Sequence, residues 1–256
     1  MLDKIVKTRR ESVAQKKNLV PAAALHRRDG DVPRSFFRKA LDYYLITECK
    51  KASPSAGVIA EQYDPASIAA AYYDGGAGAV SVLTEPLFFN GSDADLKAVR
   101  AAVPLPVLRK DFIVDLYQVQ ESYALGADII LLIAAVLKPE QAADMAAFAH
   151  ELGMEVLLEC HSRYEIEAFT KVEADAIGIN ARNLGDFSVS LELARDLLAF
   201  VPEGRVAVAE SGMKSTADVR VQADAGFSGF LVGEFCMRAE NPAELVRSIR
   251  NVLEDR

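Results

Sequence analysis

Lysines and carboxylates close several short apolar segments of this sequence. Glu48 and Lys50 end the segment LITECK, and Lys110 and Glu159 end the segments VLRK and VLLE. Because side chains alternate along a strand, Glu48 and Lys50 would share one face, and Lys110 would share the face of the apolar Leu108. Lysines and carboxylates that meet in this way can donate and accept protons. The residue types therefore indicate general acid–base catalysis.

Two further apolar segments also end in polar residues. Asn180 follows AIGI, and Glu210 and Ser211 follow VAVA. For Glu48 and Lys50 alone, the alternative is a solvated strand with a surface ion pair, because charged residues are mostly exposed. That alternative does not explain why five segments end in the same way, since charges are rarely gathered without a partner or a function. We therefore expect these side chains to share one site.

Short apolar segments alternate with segments of helical periodicity eight times between residues 45 and 253. The predicted strands are 45–49, 79–83, 106–109, 128–133, 155–158, 176–179, 205–209 and 229–232. Short strands separated by helices are typical of a parallel sheet covered on both faces. Eight such units in about 210 residues favour a closed barrel. The sequence thus predicts the α/β class and a (β/α)8 TIM barrel, with chemistry at the C-terminal ends of its strands.

Residues 1–41 precede the first predicted strand. Apolar residues at Leu2, Ile5 and Val6, and again at 36–41, predict two helical segments joined by a loop. We expect them to pack on the barrel as an N-terminal helical extension. No linker or low-complexity stretch divides the chain, so residues 1–256 are predicted to form a single TIM-barrel domain.

The composition argues against several classes of protein. The 256 residues are 51% apolar and 26% charged, as in globular proteins. A net charge of −8 and a pI near 5.1 disfavour nucleic-acid binding. No apolar run approaches the roughly 20 residues that span a bilayer, and the N-terminus lacks the apolar region of a secretion signal. Cys49, Cys160 and Cys236 form no C-x-x-C pair, which indicates reduced thiols and a cytoplasmic location.

The sequence has no recognisable metal or cofactor motif. His26, His150 and His161 are dispersed, and none stands at ligand spacing from another histidine or cysteine. The G-x-S-x-G, P-loop and G-x-G-x-x-G patterns are missing. We therefore expect catalysis without a metal or a cofactor. His161 follows Glu159 by two residues, and the sequence leaves open whether it supports that carboxylate or lies on a surface loop.

Glycines follow the last two predicted strands. Ser211 and Gly212 follow the seventh, and Gly233 and Glu234 follow the eighth. In barrels of this class the loops after strands seven and eight commonly bind phosphate through backbone N–H groups, which glycine allows to approach closely. The alternative is a pair of tight turns such as any α/β protein contains. With the segment 53–55 (SPS) expected opposite, we favour a phosphate site.

Seven motifs in succession resemble a known family. TECKKASPSAG, SVLTEPLFFNGS, PVLRKDFIVD, LLECHS, IGINARNL, AESGM and FLVGE are similar, in this order, to the signatures of indole-3-glycerol phosphate synthase. The resemblance covers nearly the whole chain. It departs from the family pattern at Ala181, where a second Asn is frequent, and at Phe235 and Cys236, after the phosphate-binding glycine.

The resemblance implies a (β/α)8 barrel with an N-terminal helical extension and an enzyme of tryptophan biosynthesis. The implied reaction closes the ring of 1-(2-carboxyphenylamino)-1-deoxy-D-ribulose 5-phosphate, with loss of carbon dioxide and water, to form indole-3-glycerol phosphate. Lys110 would be the general acid on the carbonyl oxygen, Glu159 the general base of the later steps, and Lys50 a group that assists dehydration. Arg182 would lie near the substrate carboxylate.

The resemblance also implies two sets of site residues. The catalytic set is Lys110, Glu159, Lys50, Glu48, Asn180 and Ser211. The substrate-binding set is Arg182, Glu210, Ser53, Gly212, Gly233, Glu234, Phe112, Leu131 and Leu184. The only partner expected is the small phosphosugar–anthranilate substrate, bound by a monomer or by a weak homodimer, without nucleic acid or membrane.

Two other functions fit parts of the sequence. A phosphoribosylanthranilate isomerase would share the barrel, but it would need an inward cysteine on the first strand and an aspartate on the sixth. Here alternation turns Cys49 outward, and the sixth strand ends in Asn180. A non-catalytic phosphosugar-binding barrel is the second alternative. It would be expected to lack the pair of Lys110 and Glu159, which this chain retains.

Overall fold

Eight parallel strands close into a barrel in the computed structural model, which describes residues 1–27, 29–183, 185 and 187–255. Each strand pairs with the next along the chain, and the last pairs with the first. The strands are β1 (Tyr44–Cys49), β2 (Ala79–Leu83), β3 (Val107–Lys110), β4 (Ile129–Ile133), β5 (Glu155–Cys160), β6 (Ala176–Asn180), β7 (Val206–Glu210) and β8 (Gly229–Val232). The predicted (β/α)8 fold is confirmed.

Helices cover the outside of the barrel. They are α1 (Leu2–Leu19), α2 (Pro65–Gly75), α3 (Asp93–Ala102), α4 (Leu116–Leu125), α5 (Pro139–Glu151), α6 (Arg163–Ala168), α7 (Leu191–Leu198), α8 (Thr216–Ala225), α9 (Glu234–Met237) and α10 (Pro242–Glu254). Within the described residues, no helix combines the length and the apolar character needed to cross a membrane.

Polar N-caps and left-handed glycines set the ends of several helices. The N-cap side chain accepts a backbone N–H at Asp64, Ser92, Asp115, Ser162, Ser190, Ser215 and Asn241. Helices α4 and α8 both end at a glycine with positive φ, Gly126 at 97° and Gly226 at 112°. These glycines reverse the chain into the next strand.

All eight strands lie within two residues of their predicted bounds. The predicted 79–83 and 229–232 are reproduced as they stand, whereas the third strand is Val107–Lys110 instead of 106–109. Pro106 precedes this strand because proline has no N–H to donate to a ladder. The loop after β1 also contains a small antiparallel hairpin, Ala52–Ser53 with Gly57–Val58, which the sequence did not indicate.

Alternation along the strands separates two apolar layers. One fills the barrel and includes Ile46, Leu108 and Leu157, while the other lies between strands and helices and includes Cys49. The Cys49 Sγ is 3.9 Å from the carbonyl oxygen of Pro65, at the start of α2. Burial raises the pKa of this thiol well above its ordinary value. The predicted outward orientation of Cys49 is confirmed.

The predicted second helix of the N-terminal extension, over 36–41, is wrong. This segment is irregular, and the side chains of Phe36 and Phe37 pack beneath the barrel against Tyr44. The backbone N–H groups of Phe36 and Phe37 donate to the carboxylate of Glu155, at distances of 3.0 and 2.7 Å. A buried side chain thus satisfies the backbone groups that a helix would otherwise pair internally.

Helix α1 is anchored by buried charges beside the third strand. Arg9 is 4% exposed, and its Nη2 lies 2.5 Å from Asp111 Oδ2. Asp111 also accepts from Arg109, which is fully buried and lies 2.7 Å from Glu121. Asp93 and Lys16 complete this group, which we call the outer charge network (Arg9, Lys16, Asp93, Arg109, Asp111 and Glu121). Three cations balance three carboxylates.

We expect Arg9→Met to lower the free energy of unfolding by about 3 kcal/mol, because removing one partner leaves a buried carboxylate short of a cation. The matched control is Arg10→Met, which removes an exposed arginine from the adjacent position. Urea denaturation of both variants measures the difference. Equal stabilities for the two variants would contradict the anchoring role of Arg9.

Candidate active site

The C-terminal ends of the strands surround a cavity of about 880 Å³. All but one of the residues in the two predicted sets lie in its wall: Glu48, Lys50, Ser53, Lys110, Phe112, Leu131, Glu159, Asn180, Arg182, Glu210, Ser211, Gly212, Gly233 and Glu234. The remaining one, Leu184, is outside the described residues. This volume is in the range of small-molecule sites, which span roughly 300–1,000 Å³. The sequence-predicted residues are therefore brought together in one place.

Strand register brings the catalytic candidates to one level. Asn180 pairs with Glu210 between β6 and β7, and Glu159 pairs with Gly178 between β5 and β6. Gly178 lies beside the Glu210 carboxylate, and a Cβ at position 178 would overlap Glu210 Oε1. The glycine therefore leaves the space that the Glu210 carboxylate occupies. Its importance could not be read from the sequence, where it is one small residue in an apolar strand.

Lys110 bridges two carboxylates in the cavity floor. Its Nζ lies 3.2 Å from Glu159 Oε2 and 3.1 Å from Glu210 Oε2, and 17% of its side chain is exposed. Burial opposes the ammonium charge, but the negative charges of Glu210, Glu159 and Glu48 outweigh it and raise the pKa of Lys110 well above its ordinary value. The lysine is therefore held as a cation that can donate hydrogen bonds.

The two carboxylates beside Lys110 differ in their surroundings. Burial and the nearby charge of Glu159 raise the pKa of Glu210 to about 7, despite the opposing effect of Lys110. Glu210 Oε1 is also buried without a hydrogen-bond partner among the described residues. For Glu159, burial is outweighed by Lys110 and by His161, which lower the pKa of this carboxyl. The surroundings thus shift the pKa values of these two glutamates in opposite directions.

His161 lies behind Glu159, which settles the choice that the sequence left open. Its Nε2 is 3.2 Å from Glu159 Oε1, and its Nδ1 is 3.6 Å from Glu165 Oε2. Only 12% of the side chain is exposed. Burial disfavours the imidazolium, but the two carboxylates outweigh it and raise the pKa of His161 to about 10. His161 therefore contributes positive charge on the far side of Glu159.

A second ion pair lies at the end of the first strand. Lys50 Nζ is 2.6 Å from Glu48 Oε1, and both side chains face the cavity. A Cβ at Gly233 would overlap the same Glu48 oxygen. Gly233 thus makes room for this pair, in addition to the close backbone approach that the sequence suggested for it. The shared face of Glu48 and Lys50 is as predicted.

The expected phosphate end of the cavity has unusual backbone geometry. Ser211 has a φ of 65° and Gly212 one of 83°, so both adopt the left-handed region. At Ser211 this is uncommon for a residue with a side chain, and it occurs where the chain leaves β7 into the cavity wall. Helix α9 starts directly after Gly233, and its Glu234 pairs with Arg238 at 2.8 Å.

Several wall residues were missed by the sequence analysis. Phe89 faces Phe112 with ring centroids 6.1 Å apart, and Met1 together with Leu2 and Ile5 of α1 contributes to the wall. Phe89 follows β2, so the rule that loops after strands build the site could have identified it. Nothing in the sequence placed the start of α1 in the cavity wall. The remaining unpredicted wall residues include Phe187, Val189, Met213, Lys214, Phe235 and Arg238.

The described residues contain no group of three His, Cys, Asp or Glu side chains arranged to hold a metal ion. The charged groups that face the cavity are the lysines, arginines and carboxylates described above. Proton transfer and the binding of anionic groups are the chemistry that these side chains can perform.

Comparison with known proteins gave one family match and many fold matches. The model of the family "Indole-3-glycerol phosphate synthase" matches residues 2–249. Three similar solved structures are 3-hexulose-6-phosphate synthase from Salmonella typhimurium (TM-score 0.65, 16% identity, covering 83% of this chain and 99% of that one), N-acetylmannosamine-6-phosphate 2-epimerase from Clostridium perfringens (0.62, 16%, 89% and 98%) and thiamine phosphate pyrophosphorylase from Pyrococcus furiosus (0.60, 19%, 84% and 96%). At these identities the structures show a shared fold alone.

The raised pKa of Glu210 leads to a pH-dependent stability. Between its ordinary value of 4.5 and about 7, the folded protein keeps a proton that the unfolded chain has lost, so the free energy of unfolding falls as pH rises. Glu210→Gln removes this dependence. We therefore expect the variant to gain stability relative to the parent from pH 5 to pH 8, measured by urea denaturation. Glu240→Gln, at an exposed position, is the control. A stability difference that is constant with pH would contradict the assignment.

Proposed function

The chain belongs to the indole-3-glycerol phosphate synthase family, and we propose that it converts 1-(2-carboxyphenylamino)-1-deoxy-D-ribulose 5-phosphate to indole-3-glycerol phosphate, as a carboxy-lyase of tryptophan biosynthesis. The observation that carries the proposal is the bridge from Lys110 to Glu159 and Glu210 inside the cavity. It provides a buried acid beside two carboxylates, as a reaction made of successive proton transfers requires.

We propose that the substrate lies across the cavity with its phosphate between the loops after β7 and β8. Gly212 and Gly233 let backbone groups approach an anion, and Ser53 lines the same cavity from the loop after β1. The aromatic ring would rest against Phe112 and Leu131. Arg182 would meet the ring carboxylate. Binding energy from the phosphate can then orient the reacting carbons.

In the first step the ring carbon that carries the carboxylate attacks the sugar carbonyl carbon. A carbon–carbon bond forms, and the carbonyl oxygen takes a proton from Lys110 and becomes a hydroxyl. The new bond leaves the ring cationic, and loss of carbon dioxide returns an electron pair and restores aromaticity. Lys110 suits this role because Glu159 and Glu210 keep it charged until the oxygen accepts the proton.

The second stage removes water. The hydroxyl leaves with a proton supplied by Lys50, and Glu159 takes the proton from the neighbouring carbon, so that the five-membered ring becomes aromatic. Glu48 lies 2.6 Å from Lys50 and orients it. The low pKa of Glu159 keeps this group ionised in the resting site, so it can accept a proton. Asn180 and Ser211 would orient the sugar hydroxyls.

The function is tested by mixing the purified protein with the carboxyphenylamino ribulose phosphate and following indole fluorescence. We expect fluorescence to rise together with carbon dioxide release, and turnover to survive exhaustive chelation of divalent ions. A protein that binds the substrate without forming product would instead support the non-catalytic phosphosugar-binding barrel.

We expect Lys110→Ala to lower kcat by about 10²–10⁴-fold, the usual contribution of a general acid, while substrate binding changes far less. Lys97→Ala removes an exposed lysine on α3 and serves as the control. Thermal unfolding of both variants verifies that they are folded. If Lys110→Ala turns over within a few-fold of the parent, the lysine is only a charge at the barrel mouth.

We expect Glu159→Gln to separate the two stages. Glutamine keeps the shape of the side chain but cannot act as a base, so ring closure continues while aromatisation of the new ring becomes slow. Rapid-quench measurements should then show carbon dioxide released faster than indole fluorescence appears. In Lys110→Ala both signals should be slow together. Should the signals also rise together in Glu159→Gln, the assigned base is wrong.

A further inference from the structure

The loop between β2 and α3 is held by one buried carboxylate. Glu85 is 2% exposed, and its two oxygens accept backbone N–H groups from Leu87, Phe88 and Phe89 at 3.1, 2.7 and 3.1 Å. These three consecutive residues belong to no helix or strand. A single side chain thus accepts all three of their N–H groups. Hydrogen bonds to an ionised acceptor are roughly twice as strong as neutral ones.

The rest of the loop allows little other choice of path. The backbone oxygen of Glu85 accepts the N–H of Gly91 at 2.9 Å, which closes the loop on itself. Asn90 has a φ of 53°, and a Cβ at Gly91 would overlap the carbonyl oxygen of Leu83. The loop therefore has one well-defined conformation, with Glu85 at its centre.

This conformation decides which apolar side chain enters the cavity. Leu87 is 64% exposed, and Phe88 lies beneath the Lys4 ammonium at 5.9 Å, whereas Phe89 lines the cavity and faces Phe112. Without the carboxylate, three partly buried N–H groups would lose their acceptor, at a cost that a shifted loop would relieve. Such a shift would displace Phe89, whose N–H is one of the three.

We propose that Glu85 is a positioning residue: its carboxylate holds Phe89 as one wall of the slot that receives the aromatic ring of the substrate. The inference rests on the proposed function, which supplies a substrate with such a ring. Glu85 itself does not line the cavity, so we assign it no part in proton transfer.

The same arrangement occurs at the opposite end of the barrel and provides a matched control. Glu155 is 1% exposed, and its carboxylate accepts the backbone N–H groups of Phe36 and Phe37. Both glutamates therefore hold a Phe–Phe pair through backbone hydrogen bonds. Only Glu85 does so beside the cavity. A purely structural role predicts similar consequences for the two, and a positioning role predicts different ones.

The experiment compares two competitive inhibitors in Glu85→Gln and Glu155→Gln. One is the alcohol analogue 1-(2-carboxyphenylamino)-1-deoxyribitol 5-phosphate, which carries the ring, and the other is D-ribulose 5-phosphate, which does not. We expect Glu85→Gln to weaken the ring-bearing inhibitor by about 3- to 10-fold, the range for loss of one aromatic contact. The ring-less inhibitor should change by less than about 2-fold. In Glu155→Gln the ratio of the two constants should equal that of the parent, even if Tm falls.

A double-mutant cycle with Phe89→Ala completes the test, and Glu85→Asp replaces Glu85→Gln if the latter does not fold. If Glu85 acts through Phe89, its substitution should change the inhibitor ratio no further once Phe89 is absent. The inference is overturned if Glu85→Gln weakens both inhibitors equally, or if its effect persists in full without Phe89. A parent protein that forms no indole-3-glycerol phosphate would contradict the proposed function itself, whereas one that forms it but binds both inhibitors equally would overturn this inference alone.

Discussion

The structure depends on an ammonium and two carboxylates that have been taken out of water at the barrel mouth. Removing such groups from water is costly, and close pairing offsets the cost only if the geometry is good. Lys110 meets this condition by lying within 3.2 Å of both Glu159 and Glu210. The three charged side chains reach the cavity from three different strands. Gly178, which has no side chain, leaves room for the Glu210 carboxylate. The position of Lys110 therefore constrains the strands that surround it.

The third strand serves two charge clusters through alternation alone. Lys110 lines the cavity, and its neighbours Arg109 and Asp111 pair with each other in the outer charge network. Because that network includes Arg9, the strand end that carries the acid is also the strand end that fastens helix α1. Three consecutive residues at the end of this short strand, 109–111, therefore connect the N-terminal helix to the cavity floor.

Local pattern explains what the sequence could predict and what it could not. The inward orientation of Glu48 and Lys110 follows from alternation, which any strand obeys, so these positions were predicted correctly. The apolar spacing at 36–41 resembles a helix, but Phe36 and its neighbours fill the barrel floor, and the acceptor that replaces helical hydrogen bonds, Glu155, is more than a hundred residues away. The placement of His161 depended on Glu165 and on burial, which a linear motif does not specify. The failure at 36–41 thus depended on a contact that is distant in sequence.

Two similar sets of hydrogen bonds have different consequences at the two ends of this barrel. Glu85 and Glu155 are both buried, and each accepts the backbone N–H groups of two consecutive phenylalanines. The pair held by Glu155 closes the floor, where strands begin and side chains are needed only for packing. The pair held by Glu85 lies where strands end, and one of its rings lines the cavity. In a parallel barrel the C-terminal ends of all strands lie at the same rim, where the site is built. A carboxylate that orders a loop at this rim therefore also shapes the site. Position along the barrel axis, more than the interaction itself, decides whether such a residue acts on stability or on substrate.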